Sequence, residues 1–280
     1  MNIITESNNT TFIYIDGSYF CYHRYFSVIK WWNMAHPDKK DIIPIETPEF
    51  VEKFKKTFLE KVKEIPEMLK INKHQKIVMI VAKDCRRPNI WRNELFSEYK
   101  KNRMPEGFLG GPIFQMVYEE NMFQAAGVAH LLYHPRLEAD DCIAIFVKQI
   151  TDKFPTSMNY IITSDRDYIQ LITDRVQIYD LAYKNIMMNK LSLGNAKDDL
   201  HIKIIMGDKS DNIPAIFAKC GVKTAKKYIT DPVRLCEKLQ NTDILKQYEL
   251  NTKLIKFDHI PLLLKNEFIE STHHLLANFV

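Results

Sequence analysis

Short, continuous apolar runs alternate with longer amphipathic segments over the first two thirds of the chain. Continuous runs rich in Val, Ile and Tyr are typical of strands that are buried on both faces of a sheet. The pattern predicts such strands at 12–15, 76–82, 128–133, 159–163 and 176–181. Apolar residues at helical spacing predict helices at 19–32, 47–65, 113–126 and 137–150. This alternation predicts an α/β fold with a mostly parallel central sheet flanked by helices.

The pattern changes after residue 190, where strands are no longer predicted. Helices are expected at 197–206, from 224 onward and through most of 232–280. We therefore expect two regions, an α/β core over 1–190 and a helical region over 191–280.

Acidic residues follow four of the predicted strands. They are Asp16, Asp84, the cluster Glu138, Asp140 and Asp141, and the pair Asp165 and Asp167. The carboxyl ends of parallel strands meet at one edge of a sheet, so these side chains are expected to lie together. Carboxylates at such density repel one another unless cations lie among them, and oxygen ligands suit hard divalent ions. The sequence predicts a metal site at this edge.

A basic and aromatic segment, RRPNIWRNELFSEYKKNR, occupies residues 86–103. Lys and Arg neutralise phosphates, and aromatic rings offer faces on which bases stack. A solvated helix with a buried apolar face explains the same pattern equally well, so both interpretations remain open at this point.

Cysteine usage and the N-terminus bear on location. The five cysteines are scattered, with no short paired spacing, which argues against a zinc site and a disulfide framework. Residues 1–11 do not resemble a signal peptide, and no apolar run approaches the roughly 20 residues of a membrane span. We expect a soluble, intracellular protein of the cytoplasm, nucleus or a viral replication site, and not a secreted one.

Five motifs, in this order along residues 12–230, resemble those of the 5′-nuclease superfamily. This superfamily contains flap endonucleases, bacteriophage 5′-3′ exonucleases and the 5′-nuclease domain of bacterial DNA polymerase I. The matching motifs are IDGS at 15–18, WRNELFSEYKKNR at 91–103, EADD at 138–141, TSDRD at 163–167 and MGDKSDNIP at 206–214. The resemblance implies a PIN-like or resolvase-like core with a helical arch near 86–125.

The resemblance also implies two Mg²⁺ ions, which Mn²⁺ can replace. The ligands expected for the first ion are Asp16, Asp84, Glu138 and Asp140. Those expected for the second are Asp141, Asp165, Asp167, Asp208 and Asp211. With these nine set aside, 26 acidic residues face 39 Lys and Arg, a surplus of 13 positive charges. An acidic centre in a basic frame suits a phosphodiester substrate.

Further roles follow from the resemblance. Lys100 and Arg103 are expected at the base of the arch as electrostatic catalysts that also bind DNA, with Arg92 as a DNA contact and Tyr99 stacked on a base. Arg24 is assigned to catalysis, although His23 occupies the family's usual arginine position.

A helix–three-turn–helix module is expected near 203–229 and would hold duplex DNA by its backbone. The residues assigned to this contact are Lys219, Gly221, Lys223, Thr224, Lys226 and Lys227. A K⁺ site in this module stays open, because the segment Lys219-Cys220-Gly221 has one extra residue and lacks the family's first glycine.

The predicted function is a structure-specific 5′-nuclease for replication or repair that hydrolyses DNA as a 5′-3′ exonuclease, a flap endonuclease or both. Its expected substrates are 5′ ends, flaps and nicks, with RNA–DNA hybrids left open. A monomer without a sliding-clamp motif is expected. The alternatives are a PIN-like ribonuclease, which has neither the arch nor the helical module, and a non-catalytic structure-specific DNA-binding protein, which would have lost metal ligands.

Overall fold

A computed structural model describes residues 10–39, 41–103, 108–188, 194–277 and 279 of the chain. Within these residues, five parallel strands form one sheet in the order β3-β2-β1-β4-β5. The strands are β1 (Thr11–Asp16), β2 (Ile77–Ala82), β3 (His130–Leu132), β4 (Met158–Ile162) and β5 (Val176–Tyr179). The predicted α/β class and parallel sheet are confirmed.

Helices cover both faces of the sheet. In the described residues they are α1 (Gly17–Ala35), α2 (Pro48–Lys63), α3 (Ile65–Met68), α4 (Arg92–Leu95), α5 (Gly111–Glu119), α6 (Met122–Ala125), α7 (Ala139–Lys153), α8 (Ala196–Met206), α9 (Val222–Thr230), α10 (Pro232–Leu239), α11 (Thr242–Ile255) and α12 (Leu262–Ala277). None of these helices is long and apolar enough to cross a membrane.

The central strand shows why the apolar runs are continuous. Phe12 and Tyr14 of β1 point into a core that contains residues of α7 and α12. Ile13 and Ile15 point into a second core that contains residues of α1, α2, α5 and α6. Because both faces of β1 are buried, polar residues cannot alternate along it, and the run reads as wholly apolar.

The segment predicted as one helix over 113–126 is two, which is a correction. Asn121 adopts a left-handed conformation with φ of 51°. This conformation breaks the helical path between α5 and α6, and Asn tolerates it better than most residues. The Phe123 side chain thereby reaches the core against Phe20 and Phe58.

The helices after residue 194 do not share one role. Ile202 and Ile205 of α8 pack with Ala225 and Tyr228 of α9 in a small separate core. In contrast, α12 completes the layer over the sheet that also contains α7. The predicted boundary at 190/191 lies in 189–193, outside the described residues.

The turn after α8 needs glycine. Gly207 has φ of 69°, and a Cβ there would lie 2.3 Å from the carbonyl oxygen of Ile213. The Asp208 backbone exchanges hydrogen bonds with that of Ile213, with N···O distances of 2.9 and 2.8 Å. This close approach closes the loop 207–213 and fixes the direction of its acidic residues.

The predicted arch falls partly on residues 104–107, outside the described residues. Its described parts are short turns and helices that pack on the body of the protein. Ile90 and Tyr99 lie in a core with Ile204 of α8 and Leu254 of α11. The segment that carries the basic and aromatic residues is therefore fixed against the later helices.

Arg92 connects the segment 86–103 to the helices α7 and α11. Arg92 is 2% exposed. Its Nη1 and Nη2 atoms each donate to Asp141 at 2.8 Å, Nη1 donates to Glu138 at 2.9 Å, and Nε donates to the Leu254 carbonyl at 2.7 Å. The predicted contact of Arg92 with DNA is wrong for this arrangement, because its guanidinium is buried and already paired.

Replacement of Arg92 tests this tie. Removing one partner of a buried ion pair leaves an uncompensated charge, so Arg92→Ala is expected to lower the free energy of unfolding by about 3–5 kcal/mol. The matched control is Arg86→Ala, because Arg86 is exposed in the same segment and its loss should cost less than about 0.5 kcal/mol. Denaturant unfolding followed by circular dichroism measures both. A loss below about 1 kcal/mol for Arg92→Ala would contradict the assigned role.

Candidate active site

An open cleft of about 1960 Å³ lies at the carboxyl edge of the sheet. Most of the predicted acidic residues line it, which places the strand ends together as expected. The acidic residues in its lining are Asp16, Asp84, Glu138, Asp140, Asp165, Asp167, Asp199 and Asp208.

The junction of β1 with α1 brings the first two acids together. Asp16 caps α1 by accepting from the Tyr19 N–H at 3.0 Å. The next residue must be glycine, since a Cβ on Gly17 would lie 2.5 Å from the carbonyl oxygen of Ala82. This contact between the ends of β1 and β2 positions Asp84, which accepts hydrogen bonds from the Ser18 hydroxyl and, at 2.8 Å, from the Ala139 N–H.

Four of the predicted ligands form a group that we call the unpaired acids. Among the described residues, no Lys, Arg or His nitrogen lies within 4.0 Å of their carboxylates. The unpaired acids are Asp16, Asp84, Asp140 and Asp165. They come from four different strand ends of the parallel sheet and face the same cleft.

Two of the unpaired acids, Asp16 and Asp140, carry the electrostatic signature of a cation site. Desolvation in the cleft, together with repulsion from Asp84, raises the pKa of Asp16 to about 7. Desolvation and repulsion from Asp141 raise the pKa of Asp140 well above its usual range. Oxygen ligands that resist ionisation until a positive charge is present fit a hard divalent cation such as Mg²⁺.

Glu138 is neutralised from within the protein. Lys100 Nζ contacts its Oε1, Arg92 Nη1 donates to Oε2 at 2.9 Å, and the Tyr99 hydroxyl donates to Oε2 at 3.1 Å. Burial raises the pKa of Glu138, but the charges of Lys100 and Arg92 outweigh burial and lower the pKa to about 2. Glu138 is therefore ionised and paired before any metal arrives.

Asp141 is a buried counter-ion, and its predicted role as a metal ligand stays a prediction. Carboxylate oxygens of Glu138, Asp140 and Asp141 lie within 4.8 Å of one another, close enough to hold an ion. However, Asp141 is 0% exposed and accepts from Arg92, from Trp91 Nε1 at 2.8 Å and from the Glu138 N–H at 3.2 Å. It does not line the cleft.

The loop after α8 contains two more predicted ligands, Asp208 and Asp211. Asp211 is buried and contacts Arg103 Nη2, while Lys100 Nζ lies 3.9 Å away. Asp208 caps the short turn 209–211 by accepting from the Ser210 N–H at 2.8 Å. Of the two, Asp208 faces the cleft.

Lys203 is the residue that sequence analysis missed. Its ammonium contacts Asp167 Oδ1 and lies 2.7 Å from Asp208 Oδ2. Desolvation would raise the pKa of Asp208, but Lys203 lowers it to about 2, whereas desolvation still raises the pKa of Asp167 to about 6. A lysine near the end of a helix is usually solvated, so the sequence carried little signal for this contact.

Two other predicted site residues lie elsewhere. Tyr99 is 4% exposed, with its ring in the core between α8 and α11, so its predicted stacking on a base is wrong. Arg24 is buried outside the cleft, where Glu64 and Tyr183 are among the charges that act on it. Its predicted catalytic role is not supported by this position.

Lys100 and Arg103 lie where cationic side chains were predicted. Lys100 is buried against Glu138, and its backbone, with φ of 55°, donates to the Asp211 carbonyl at 2.9 Å. Arg103 has a side chain that is 38% exposed at the rim of the cleft. The pair therefore presents one buried and one accessible positive charge beside the acids.

Aromatic side chains form part of the wall of the cleft, and sequence analysis missed them too. Tyr22 and Phe26 are 37% and 56% exposed on α1. Their rings stack at 6.4 Å with an interplanar angle of 16°, and Phe108 packs 5.1 Å from Tyr22. The one-turn spacing of these two residues on α1 was a usable signal for a shared face.

The predicted backbone-binding residues cluster around the start of α9. Lys219 and Gly221 line the cleft. Lys223, Thr224, Lys226 and Lys227 follow on the first turns of α9, and none of the four lysines has a carboxylate within 4.0 Å in the described part of the chain. Their role in DNA binding stays a prediction.

Comparison with known proteins identifies the family of the chain. The model of the 5′-3′ exonuclease N-terminal resolvase-like domain matches residues 11–198. A 5′-3′ exonuclease of Buchnera aphidicola from Acyrthosiphon pisum is 28% identical over 222 residues, which cover 78% of this chain and 69% of that protein. A 5′-3′ exonuclease of Bacillus subtilis is 29% identical over 169 residues, 55% of this chain and 53% of that protein. The chain thus spans only about half the length of the latter.

Solved structures share the fold. A bacteriophage T5 flap endonuclease in a pseudo-enzyme–product complex with DNA and metal ions superposes with a TM-score of 0.63 at 16% identity, covering 94% of this chain and 98% of that one. The T5 protein co-crystallised with metal ions gives a TM-score of 0.62 with the same coverage. With the match of the domain model to most of the chain, these findings lead to one assignment. The chain belongs to the 5′-3′ exonuclease family with an N-terminal resolvase-like domain.

Proposed function

We propose that this protein is a divalent-metal-dependent, structure-specific 5′-nuclease that hydrolyses DNA phosphodiesters as a 5′-3′ exonuclease, a flap endonuclease or both. The observation that carries the proposal is the group of unpaired acids. In a chain of this family, four carboxylates without a cationic partner face an open cleft beside Lys100 and Arg103. The same cleft reaches Lys219 and Gly221, just before α9.

The unpaired acids Asp16, Asp84, Asp140 and Asp165 would hold Mg²⁺, with Mn²⁺ as a substitute, and Asp167 and Asp208 would hold a second ion. Bound there, the metal supplies a water of lowered pKa and stabilises charge on the scissile phosphate. The residues contribute oxygen ligands on separate strand ends, held by backbone N–H and hydroxyl donors. This support fixes the ligand directions before the metal binds.

The cationic side chains act on the phosphate in two ways. Arg103 is accessible at the rim of the cleft and would bind a non-bridging oxygen or the 5′ end. Lys100 is held by Glu138, so its position is fixed and requires little reorganisation when charge develops.

The rest of the cleft suits nucleic acid with a duplex part and an end. The lysines of α9 would neutralise backbone phosphates of the duplex. Tyr22 and Phe26 would stack on an exposed base near the metals, the role that sequence analysis had given to Tyr99. Binding of K⁺ at 219–221, action on RNA–DNA hybrids and a monomeric, intracellular state stay predictions.

The two alternatives are less well supported. A non-catalytic binding protein has no need for four carboxylates without counter-ions in one cleft, which is an unfavourable arrangement because like charges repel. A PIN-like ribonuclease would share the acids, but the α8–α9 pair and the fixed basic segment extend beyond the acidic centre itself.

Substrate choice tests the proposal directly. With Mg²⁺, we expect cleavage of a 5′-flap DNA near its junction and no comparable cleavage of single-stranded RNA of the same sequence. Mapping the products on denaturing gels, with free and blocked 5′ ends, separates exonuclease from endonuclease action. Cleavage of RNA alone would reject a DNA nuclease in favour of the ribonuclease.

Loss of the acids after β4 should separate cleavage from binding. In the double variant Asp165→Asn with Asp167→Asn, we expect cleavage to fall by about a thousandfold or more, because metal ligands supply several kcal/mol of transition-state stabilisation. DNA affinity should persist, since fewer negative charges then face the phosphates. Asp174→Asn, an exposed acid outside the cleft, serves as the control. Equal cleavage by the double variant and the wild type would refute the metal assignment.

The aromatic wall predicts a binding effect without a loss of chemistry. Phe26→Ala should weaken binding of flap DNA by roughly 1–3 kcal/mol, the value of one base–aromatic stack. Met34→Ala removes a comparably exposed side chain of the same helix that does not line the cleft. Fluorescence anisotropy in Ca²⁺ measures both affinities. Unchanged affinity for Phe26→Ala would show that this wall does not contact DNA.

A further inference from the structure

The proposed metal ligands of the cleft form two electrostatically different halves. In the first half, the unpaired acids Asp16, Asp84, Asp140 and Asp165 have no cationic side chain within 4.0 Å among the described residues. In the second half, Asp167 and Asp208 share the ammonium of Lys203. A divalent ion would therefore find carboxylates without a counter-ion in the first half and carboxylates paired with an ammonium in the second.

Lys203 is held firmly in the second half. Its side chain is only 17% exposed, and those of Asp167 and Asp208 are 12% and 18% exposed. The ammonium donates to Oδ1 of Asp167 and lies 2.7 Å from Oδ2 of Asp208. Lys203 lies on α8, and its neighbours Ile202, Ile204 and Ile205 are buried. The backbone at Lys203 is therefore held in place.

A divalent ion and this ammonium need the same oxygens. Mg²⁺ and Mn²⁺ require carboxylate oxygens at about 2.0–2.2 Å, closer than an ammonium approaches them. An ion between Asp167 and Asp208 would also lie within a few ångströms of a like charge, which is strongly unfavourable away from bulk water. Both cations cannot occupy this half together.

We propose that Lys203 is a resident cation that competes with a divalent metal ion for Asp167 and Asp208. The first ion then binds to the unpaired half without hindrance, whereas a second ion must displace the Lys203 ammonium. This inference rests on the proposed function only in requiring that the cleft binds divalent ions.

The flexible stem of lysine makes such displacement feasible. An ammonium that leaves the carboxylates keeps three donors and can pair with a phosphate oxygen of DNA in the same cleft. Lys203 is thus a positioning residue that sets the occupancy of the second ion, and it does not itself act on the reacting bond.

The experiment is a Mn²⁺ titration of the full chain without DNA, in which electron paramagnetic resonance reports free Mn²⁺. For the wild type we expect one tighter and one weaker ion. Lys203→Met removes the charge and keeps the length of the side chain, so the weaker ion should bind at least about tenfold more tightly. Lys197→Met makes the same change at an exposed position of α8 and should leave both affinities unchanged.

A second readout does not depend on counting ions. Without Lys203 the two carboxylates lack their counter-ion, so Mn²⁺ should raise the melting temperature of Lys203→Met by more than that of the wild type. Lys203→Ala provides the same comparison if the methionine variant folds poorly.

The outcomes separate the two claims. Equal affinities for the second ion in the wild type and both Lys203 variants would overturn the competition, as would weaker binding in the variants. If either result is found while the wild-type protein binds Mn²⁺ and cuts flap DNA, the competition is rejected and the proposed nuclease function stands. A wild-type protein that neither binds Mn²⁺ nor cuts DNA would instead defeat the proposed function.

Discussion

Repulsion between like charges at the carboxyl edge of the sheet is the constraint on which the site depends. A parallel sheet brings its strand ends together, and here each of four ends contributes a carboxylate to one cleft. Such crowding is unfavourable in a poorly hydrated environment. The protein offsets part of it with internal cations at Glu138, Asp141, Asp167, Asp208 and Asp211. The part left unbalanced is where we propose that a metal ion binds.

The internal cations come from chain segments outside the sheet. Arg92, Lys100 and Arg103 belong to the basic segment, and Lys203 belongs to α8. Both segments are docked by charge as well as by apolar contact, because Arg92, Lys100 and Lys203 are largely buried against acidic side chains. The same segments border the cleft from which DNA would approach, so substrate binding and site assembly share one set of elements.

Local pattern was sufficient to predict the strands, their parallel arrangement and the convergence of their acids. These features depend on residues near one another in sequence and on general rules of α/β topology. The division of the acids could not be predicted, because it depends on distant partners. Arg92 meets Asp141 after 49 residues and Leu254 after 162. Lys203 meets Asp167 across 36.

The errors have the same origin. From the sequence, Tyr99 was predicted to be an exposed stacking residue, but in the structure it is buried in a core with Ile204 and Leu254. Phe26 looked like an ordinary apolar residue of α1, yet α1 leaves its ring open to the cleft. In both cases the aromatic residue type is compatible with base stacking. Whether the ring is exposed depends on packing between segments that are far apart in sequence, which a short sequence pattern does not show.

The bonds from α11 to the site have a consequence for a chain that is still being synthesised. Arg92 Nε is satisfied by the Leu254 carbonyl at 2.7 Å, and Gln170 Nε2 by the Ile255 carbonyl at 3.0 Å. A nascent chain has made every strand and every acid of the cleft well before it reaches these two carbonyls. Until they emerge, the basic segment and the turn after β4 each lack an anchor. These two contacts thus form only after residue 255 has been synthesised, later than every acid of the cleft.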